Sequence, residues 1–131
     1  MTGTLHVLVV DDSDDLRELI GIVIQRGPGG WKVVATAADG RQGIEAARTT
    51  QPELVLLDIA MPIMDGMQAL PLIREAAPNA VVVMLSGYPF ASAGPGALAA
   101  GAHGYLEKSD LVKSLVLRIE HILASVALTA Q

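Results

Sequence analysis

Residues 54–66 read LVLLDIAMPIMDG. The first four, Leu54 to Leu57, are apolar without alternation, which marks a short strand buried on both faces, as in a parallel sheet covered by helices. Asp58 follows at once, then a loop. Met67 to Ala77 carries a helical pattern and stops at Pro78. The unit is therefore strand, acidic edge, loop, helix. The same unit recurs on both sides of it. Further buried-strand runs occupy Leu5 to Val10, Val33 to Ala37, Ala80 to Leu85 and Gly104 to Leu106.

Between these runs the apolar spacing is helical. Leu16, Leu19, Ile20, Val23 and Ile24 share one face of a first helix. Ile44 and Ala47 belong to an Ala-rich second helix that ends before Pro52. Val112, Leu115, Val116, Ile119, Ile122 and Leu123 form the stripe of a fifth. The fourth is the weakest. Only Leu98 to Ala100 reads as helix, and Gly87 to Gly96, with three Gly and two Pro, reads as a mobile loop. Five strand–helix units in alternation predict an α/β fold, a doubly wound five-stranded parallel sheet. The common strand order is 2-1-3-4-5, with the site at the carboxyl ends of the central strands.

The 131 residues suffice for one domain with its own core. Hydrophobic residues make up 51%, which excludes a disordered chain. The absence of cysteine excludes disulfide scaffolds, thiolate metal sites and thiol catalysis. A net charge of −5 disfavours nucleic acid and anionic membrane as direct partners. No apolar run approaches the roughly 20 residues of a membrane span, and no signal peptide is expected before the first strand. A soluble, cytoplasmic protein is expected.

The polar residues at the strand ends carry the chemistry. Asp11 and Asp12 follow the first strand, Asp58 the third, Ser86 the fourth, and Lys108 the fifth after Glu107. A doubly wound sheet brings all of them to one edge. Three carboxylates at close range repel one another, and a hard divalent cation such as Mg²⁺ resolves the conflict. An aspartate beside such a cation can attack phosphorus. Ser86 could donate to a phosphoryl oxygen and Lys108 could neutralise another, giving a phosphoryl-transfer site built on positioning and charge.

In these stretches, Leu5 to Asp12, Leu54 to Gly66, Leu85-Ser86-Gly87 and Gly101 to Lys108, the chain resembles the receiver domains of two-component response regulators. The resemblance covers about residues 5–124 and implies the flavodoxin-like receiver fold. It further implies that Asp58 is the phospho-acceptor, and that Asp11, Asp12 and Asp58 hold Mg²⁺ with the backbone carbonyl of Ala60. Ser86 and Lys108 would contact the phosphoryl group, and Tyr105 would be the aromatic switch residue. The implied function is a signalling switch. It takes a phosphoryl group from a histidine kinase or phosphotransfer protein, and catalyses nothing beyond its own phosphorylation and dephosphorylation. The implied output is a partner or homodimer contact through the fourth helix, fifth strand and fifth helix, where Leu117 is the candidate contact. Residues 1–131 would be a single domain with a short tail, 125–131, and no output domain, either stand-alone and chemotaxis-regulator-like or cut from a longer regulator.

Blander roles compete at each position. Asp14 and Asp15 suit a helix start, and Asp65-Gly66 a turn and helix start. His6, His103 and His121 are scattered and form no set. A metal-dependent phosphohydrolase of the haloacid-dehalogenase type would need a second aspartate at position 60, where this chain has Ala60. A flavodoxin-like electron carrier would need a phosphate loop where Asp11 and Asp12 stand. A degenerate receiver that binds partners without phosphorylation would not need the full acidic set. The family usually has proline after the lysine, and here Ser109 follows. A trans Lys108–Ser109 peptide is therefore expected, with Ser109 free to cap the fifth helix.

Overall fold

The computed structural model describes residues 4–129, with the backbone alone at Val112 and Thr129. Val112, read above as part of the fifth helix's stripe, therefore has its side chain outside the described atoms. The strands are β1 (His6–Val10), β2 (Lys32–Ala37), β3 (Leu54–Leu57), β4 (Val81–Ser86) and β5 (Gly104–Glu107). The helices are α1 (Asp14–Arg26), α2 (Gly40–Thr50), α3 (Gly66–Ala76), α4 (Phe90–Ala99) and α5 (Leu111–Thr129), the last preceded by a 3₁₀ turn at Lys108–Asp110. All strand pairs are parallel, in the order β2-β1-β3-β4-β5. This is the predicted architecture.

Alternate residues along each strand feed two separate cores. Leu8, Val10, Val55, Leu57, Val82 and Met84 point to one face, against Ala47 of α2, Leu70 and Ile73 of α3 and Ala97 of α4. Val7, Val9, Leu54, Leu56, Val83 and Leu85 point to the other, against Ile20 and Ile24 of α1 and Leu115 and Ile119 of α5. Burying each such Leu or Ile side chain stabilises the fold by about 1.5–3 kcal/mol. Helices begin close to the strand ends because polar side chains cap them. Ser13 accepts from Leu16 N–H, Asp39 from Gln42 N–H, and Asp65 forms a reciprocal capping box with Gln68. Asp65 is thus the helix-opening residue its sequence context implied.

Three expectations need correction. The stretch Gly87–Gly96 is not a loop throughout, because α4 starts at Phe90 and runs through Gly94, Pro95 and Gly96. Pro89 at its N-cap offers no side-chain acceptor. Instead Glu107 of β5 accepts from Phe90 N–H at 2.9 Å, an anion at a helix N-terminus. Second, α5 continues to Thr129, since Ala124 to Leu128 contain no helix breaker, so most of the expected tail is helix. Third, Ser109 lies inside the 3₁₀ turn and not at the N-cap of α5. The Lys108–Ser109 peptide is trans, as expected.

His103, one of three histidines read as forming no set, extends the β4–β5 ladder with its side chain. Its N–H donates to Val82 C=O at 2.8 Å, and its Nδ1 accepts from Val82 N–H at 3.0 Å. Burial, then the nearby Arg74 charge, hold the imidazole below its ordinary pKa of 6.5. The neutral ring is the one that accepts. The unfolded chain therefore binds the proton first, and the stabilisation by His103 fades as pH falls below 6.5. His103→Ala, which orphans the Val82 amide, is expected to cost about 1–3 kcal/mol at pH 8 and less at pH 5. Urea titrations of both proteins at the two pH values check this.

Candidate functional site

The sheet register brings the acidic residues together. Val10 pairs with Leu57, so the residues that follow them, Asp11 and Asp58, leave neighbouring strands at the same level. Asp58 N–H donates to Val10 C=O at 2.9 Å, and Asp11 N–H to Ala37 C=O at 3.0 Å. Both carboxylates are buried, whereas Asp12 is exposed. One carboxylate oxygen from each of Asp11, Asp12 and Asp58 lies within 4.8 Å of the others. Lys108 extends from the end of β5 into the same space. Its Nζ stands 2.8 Å from Asp11 Oδ2 and 3.2 Å from Asp58 Oδ2.

Three carboxylates face one ammonium, and the imbalance shows at Asp58. Burial, reinforced by the charge of Asp11, pushes Asp58 up from 3.8 to about 6, and Lys108 only partly opposes this. Burial alone would lower Lys108, but its close contact with Asp11 and the charges of both aspartates hold it above its ordinary value. Asp11 Oδ2 is buried and meets the Lys108 charge without a well-formed hydrogen bond. Three converging carboxylates, with a buried Asp11 oxygen that meets only the Lys108 charge among the described residues, suit a hard, oxygen-seeking divalent cation.

The other predicted residues also lie at this edge of the sheet. Ser86 is the last residue of β4, fully buried, and its Oγ accepts from Tyr88 N–H at 3.0 Å. Ala60 is exposed, two residues beyond Asp58, and its carbonyl accepts no hydrogen bond among the described residues. Tyr105 stands further off. Its hydroxyl donates to Tyr88 C=O at 2.7 Å, and its ring meets Phe90 edge-on at 5.6 Å between centroids. Gly94 leaves room for the Phe90 ring, since a Cβ there would lie 2.1 Å from its Cδ1. β5 thus grips the start of α4 twice, through Tyr105 and Glu107.

One site residue was underestimated. Gly66, read only as part of a turn and helix start, lets the start of α3 pass directly over the Asp58 peptide. A Cβ on Gly66 would lie 1.9 Å from the Asp58 carbonyl oxygen, and Gly66 N–H donates to Ile59 C=O at 2.8 Å. Glycine before a helix is ordinary, so nothing local marked it out.

Residues 7–120 match the family profile described as the response regulator receiver domain. The chain belongs to this family. The receiver is 32% identical over 123 residues to a probable transcriptional regulatory protein, TcrX, of Mycobacterium tuberculosis, covering 94% of this chain and 51% of that protein. It is 41% identical over 106 residues to protein-glutamate methylesterase/protein-glutamine glutaminase 5 of Geobacter metallireducens, covering 80% of this chain and 29% of that protein. The structure also resembles the crystal structure of the CheX–CheY–BeF3–Mg+2 complex from Borrelia burgdorferi. The TM-score is 0.84 and the identity 29%, over 93% of this chain and 92% of that one. The chain thus spans about half, or less, of the two curated relatives. As a receiver domain of two-component response regulators it is a signalling module. No helix among the described residues is long and apolar enough to cross a membrane.

Proposed function

We propose that this receiver accepts a phosphoryl group on Asp58 from a histidine kinase or phosphotransfer protein. The observation that carries the reading is the buried Asp58 carboxylate, flanked by Asp11, Asp12 and the Lys108 ammonium. Asp58 oxygen attacks phosphorus, the bond from phosphorus to the donor imidazole nitrogen breaks, and the ring, protonated on its other nitrogen, leaves as neutral imidazole. The product is an aspartyl phosphate, which water hydrolyses back to carboxylate and phosphate. Asp11, Asp12, Asp58 and the Ala60 carbonyl would hold Mg²⁺, which when bound neutralises charge on the phosphoryl oxygens. Lys108 would follow one phosphoryl oxygen away from Asp58, and the Ser86 hydroxyl would donate to another. A structural relative solved with BeF3 and Mg²⁺ supports this reading. The domain would turn over no other substrate, and a cytoplasmic location goes with this role.

The new charge of about −1.5 to −2 would act on the grip of β5 on α4. Ser86 would swing toward the phosphoryl group and release Tyr88, and Tyr105 would lose its acceptor and turn inward. The changed surface is α4, β5 and α5. A groove of about 540 Å³ between β5 and α5 lies there, lined by Tyr105, Leu117, Arg118 and His121. Leu117, 58% exposed, is the candidate contact for a downstream protein or a second copy.

Acetyl phosphate tests the central step. Intact mass spectrometry is expected to show one added phosphate with Mg²⁺ and none with chelator. Uptake without Mg²⁺, or none with it, contradicts the proposal. The cation site is checked separately. Asp12→Ala should weaken Mg²⁺ binding at least about tenfold, more than loss of an outer-shell partner does. Asp14 is 88% exposed and pairs with Arg17, so Asp14→Ala should stay within about twofold. Calorimetric titration of each variant separates the two cases.

A further inference from the structure

Arg17 is a long cation on α1, yet only 18% of its side chain is exposed. It folds back along the helix toward the carboxylates. Nη1 donates to the Asp11 carbonyl oxygen at 2.6 Å, and Nη2 is paired with Asp14. Asp11 is thereby fixed at every polar atom. Its N–H is held by Ala37, its Oδ1 accepts from Ser13 N–H at 2.9 Å, and its Oδ2 faces Lys108. The carbonyl is held by Arg17 and by no other donor among the described residues.

That carbonyl belongs to the Asp11–Asp12 peptide, a rigid plane that also carries the Asp12 Cα. The Asp12 carboxylate makes no hydrogen bond or ion pair among the described residues and is exposed, so its aim depends on its backbone. We propose that Arg17 is a positioning residue for the cation site. By clamping the Asp11 carbonyl it orients the peptide that aims Asp12 at Asp11 and Asp58. The inference rests on the reading of these aspartates as a Mg²⁺ site, and it assigns to a residue outside the acidic set the geometry on which that set depends.

The test exploits opposite signs. If Arg17 acted only through its charge, removing a cation from beside a Mg²⁺ site would tighten Mg²⁺ binding, and lysine would be worse than a neutral residue. If it positions the loop, removal weakens binding and lysine recovers part of it. Arg17→Met keeps the buried stem and should preserve the fold. Mg²⁺ titrations by calorimetry on the full chain are expected to give about tenfold weaker binding for Arg17→Met, as for loss of other outer-shell partners, and an intermediate value for Arg17→Lys. Metal-free hydrogen exchange should be faster at Ser13 N–H in Arg17→Met, while amides of β3 and β4 keep their protection. Unchanged or tighter Mg²⁺ binding in Arg17→Met, or Arg17→Lys weaker than Arg17→Met, overturns the proposal. Absence of Mg²⁺ binding in the parent protein overturns the cation reading itself, and this inference with it.

Discussion

Asp58→Asn is expected to take up no phosphate from acetyl phosphate and Mg²⁺, and yet to be more stable than its parent in neutral metal-free buffer. The first effect is complete loss, because the amide is not a nucleophile toward phosphorus. The second follows from the strain of ionising a buried carboxylate beside Asp11. The folded Asp58 gives up its proton at about 6, against 3.8 as the ordinary value. Between those values the folded state holds the proton and the unfolded state does not. The contribution of Asp58 to stability therefore falls as pH rises through this window, then stays level. Asparagine removes that loss, in which the opposing Lys108 charge is already included, so a net gain of about 1–3 kcal/mol at pH 7 is expected, vanishing toward pH 4. Mg²⁺ should reverse the order, stabilising the parent more than the variant. Thermal melts at pH 4.5 and 7, with and without Mg²⁺, check the stability effects. A variant that gains phosphate would move the acceptor away from Asp58, and one less stable than the parent at pH 7 would remove the strain argument.

Gly66→Ala is expected to be the most damaging alanine substitution among the described glycines. The added Cβ would sit 1.9 Å from the Asp58 carbonyl oxygen and 2.9 Å from the Ile59 Cα, all backbone that no rotamer change can clear. The start of α3 or the end of β3 must shift, at a cost of about 3 kcal/mol or more, or roughly 10 °C in Tm. Because the displaced peptide is that of Asp58, phosphate uptake should slow even at temperatures where the variant is folded. Gly21→Ala is the control, since a Cβ there meets nothing within 4 Å. Melting curves and phosphorylation time courses of the two variants check both parts. Equal behaviour of the two would show that the loop yields freely.

The contrast between α3 and α4 shows how much of the fold was legible. Residues 66–76 carry a capping box at Asp65 and Gln68 and a stripe through Ala69, Leu70 and Ile73, all local signals. Residues 90–99 carry Gly94, Pro95 and Gly96 and no side-chain cap of their own. That helix is completed by Glu107, 17 residues from Phe90 in the chain, and by the edge contact of Phe90 with Tyr105. The site divides in the same way. Asp11, Asp12, Asp58, Ser86 and Lys108 each lie at or just beyond the end of a buried-strand run, and parallel strands must bring such ends to one edge.

The sequence by itself determined the five strands, their alternation with helices and the convergence of the acidic residues with Lys108, because strand periodicity and strand ends are properties of near neighbours. Only the tertiary structure decided what holds those residues in place. Gly66 passes over Asp58, Arg17 clamps the Asp11 carbonyl, His103 completes the β4–β5 ladder, and Glu107 caps α4. Each is a contact of one side chain, or of its absence, with a backbone group brought close by the fold. A backbone carbonyl or amide looks the same in every residue, so its partner leaves no mark in the pattern of side chains.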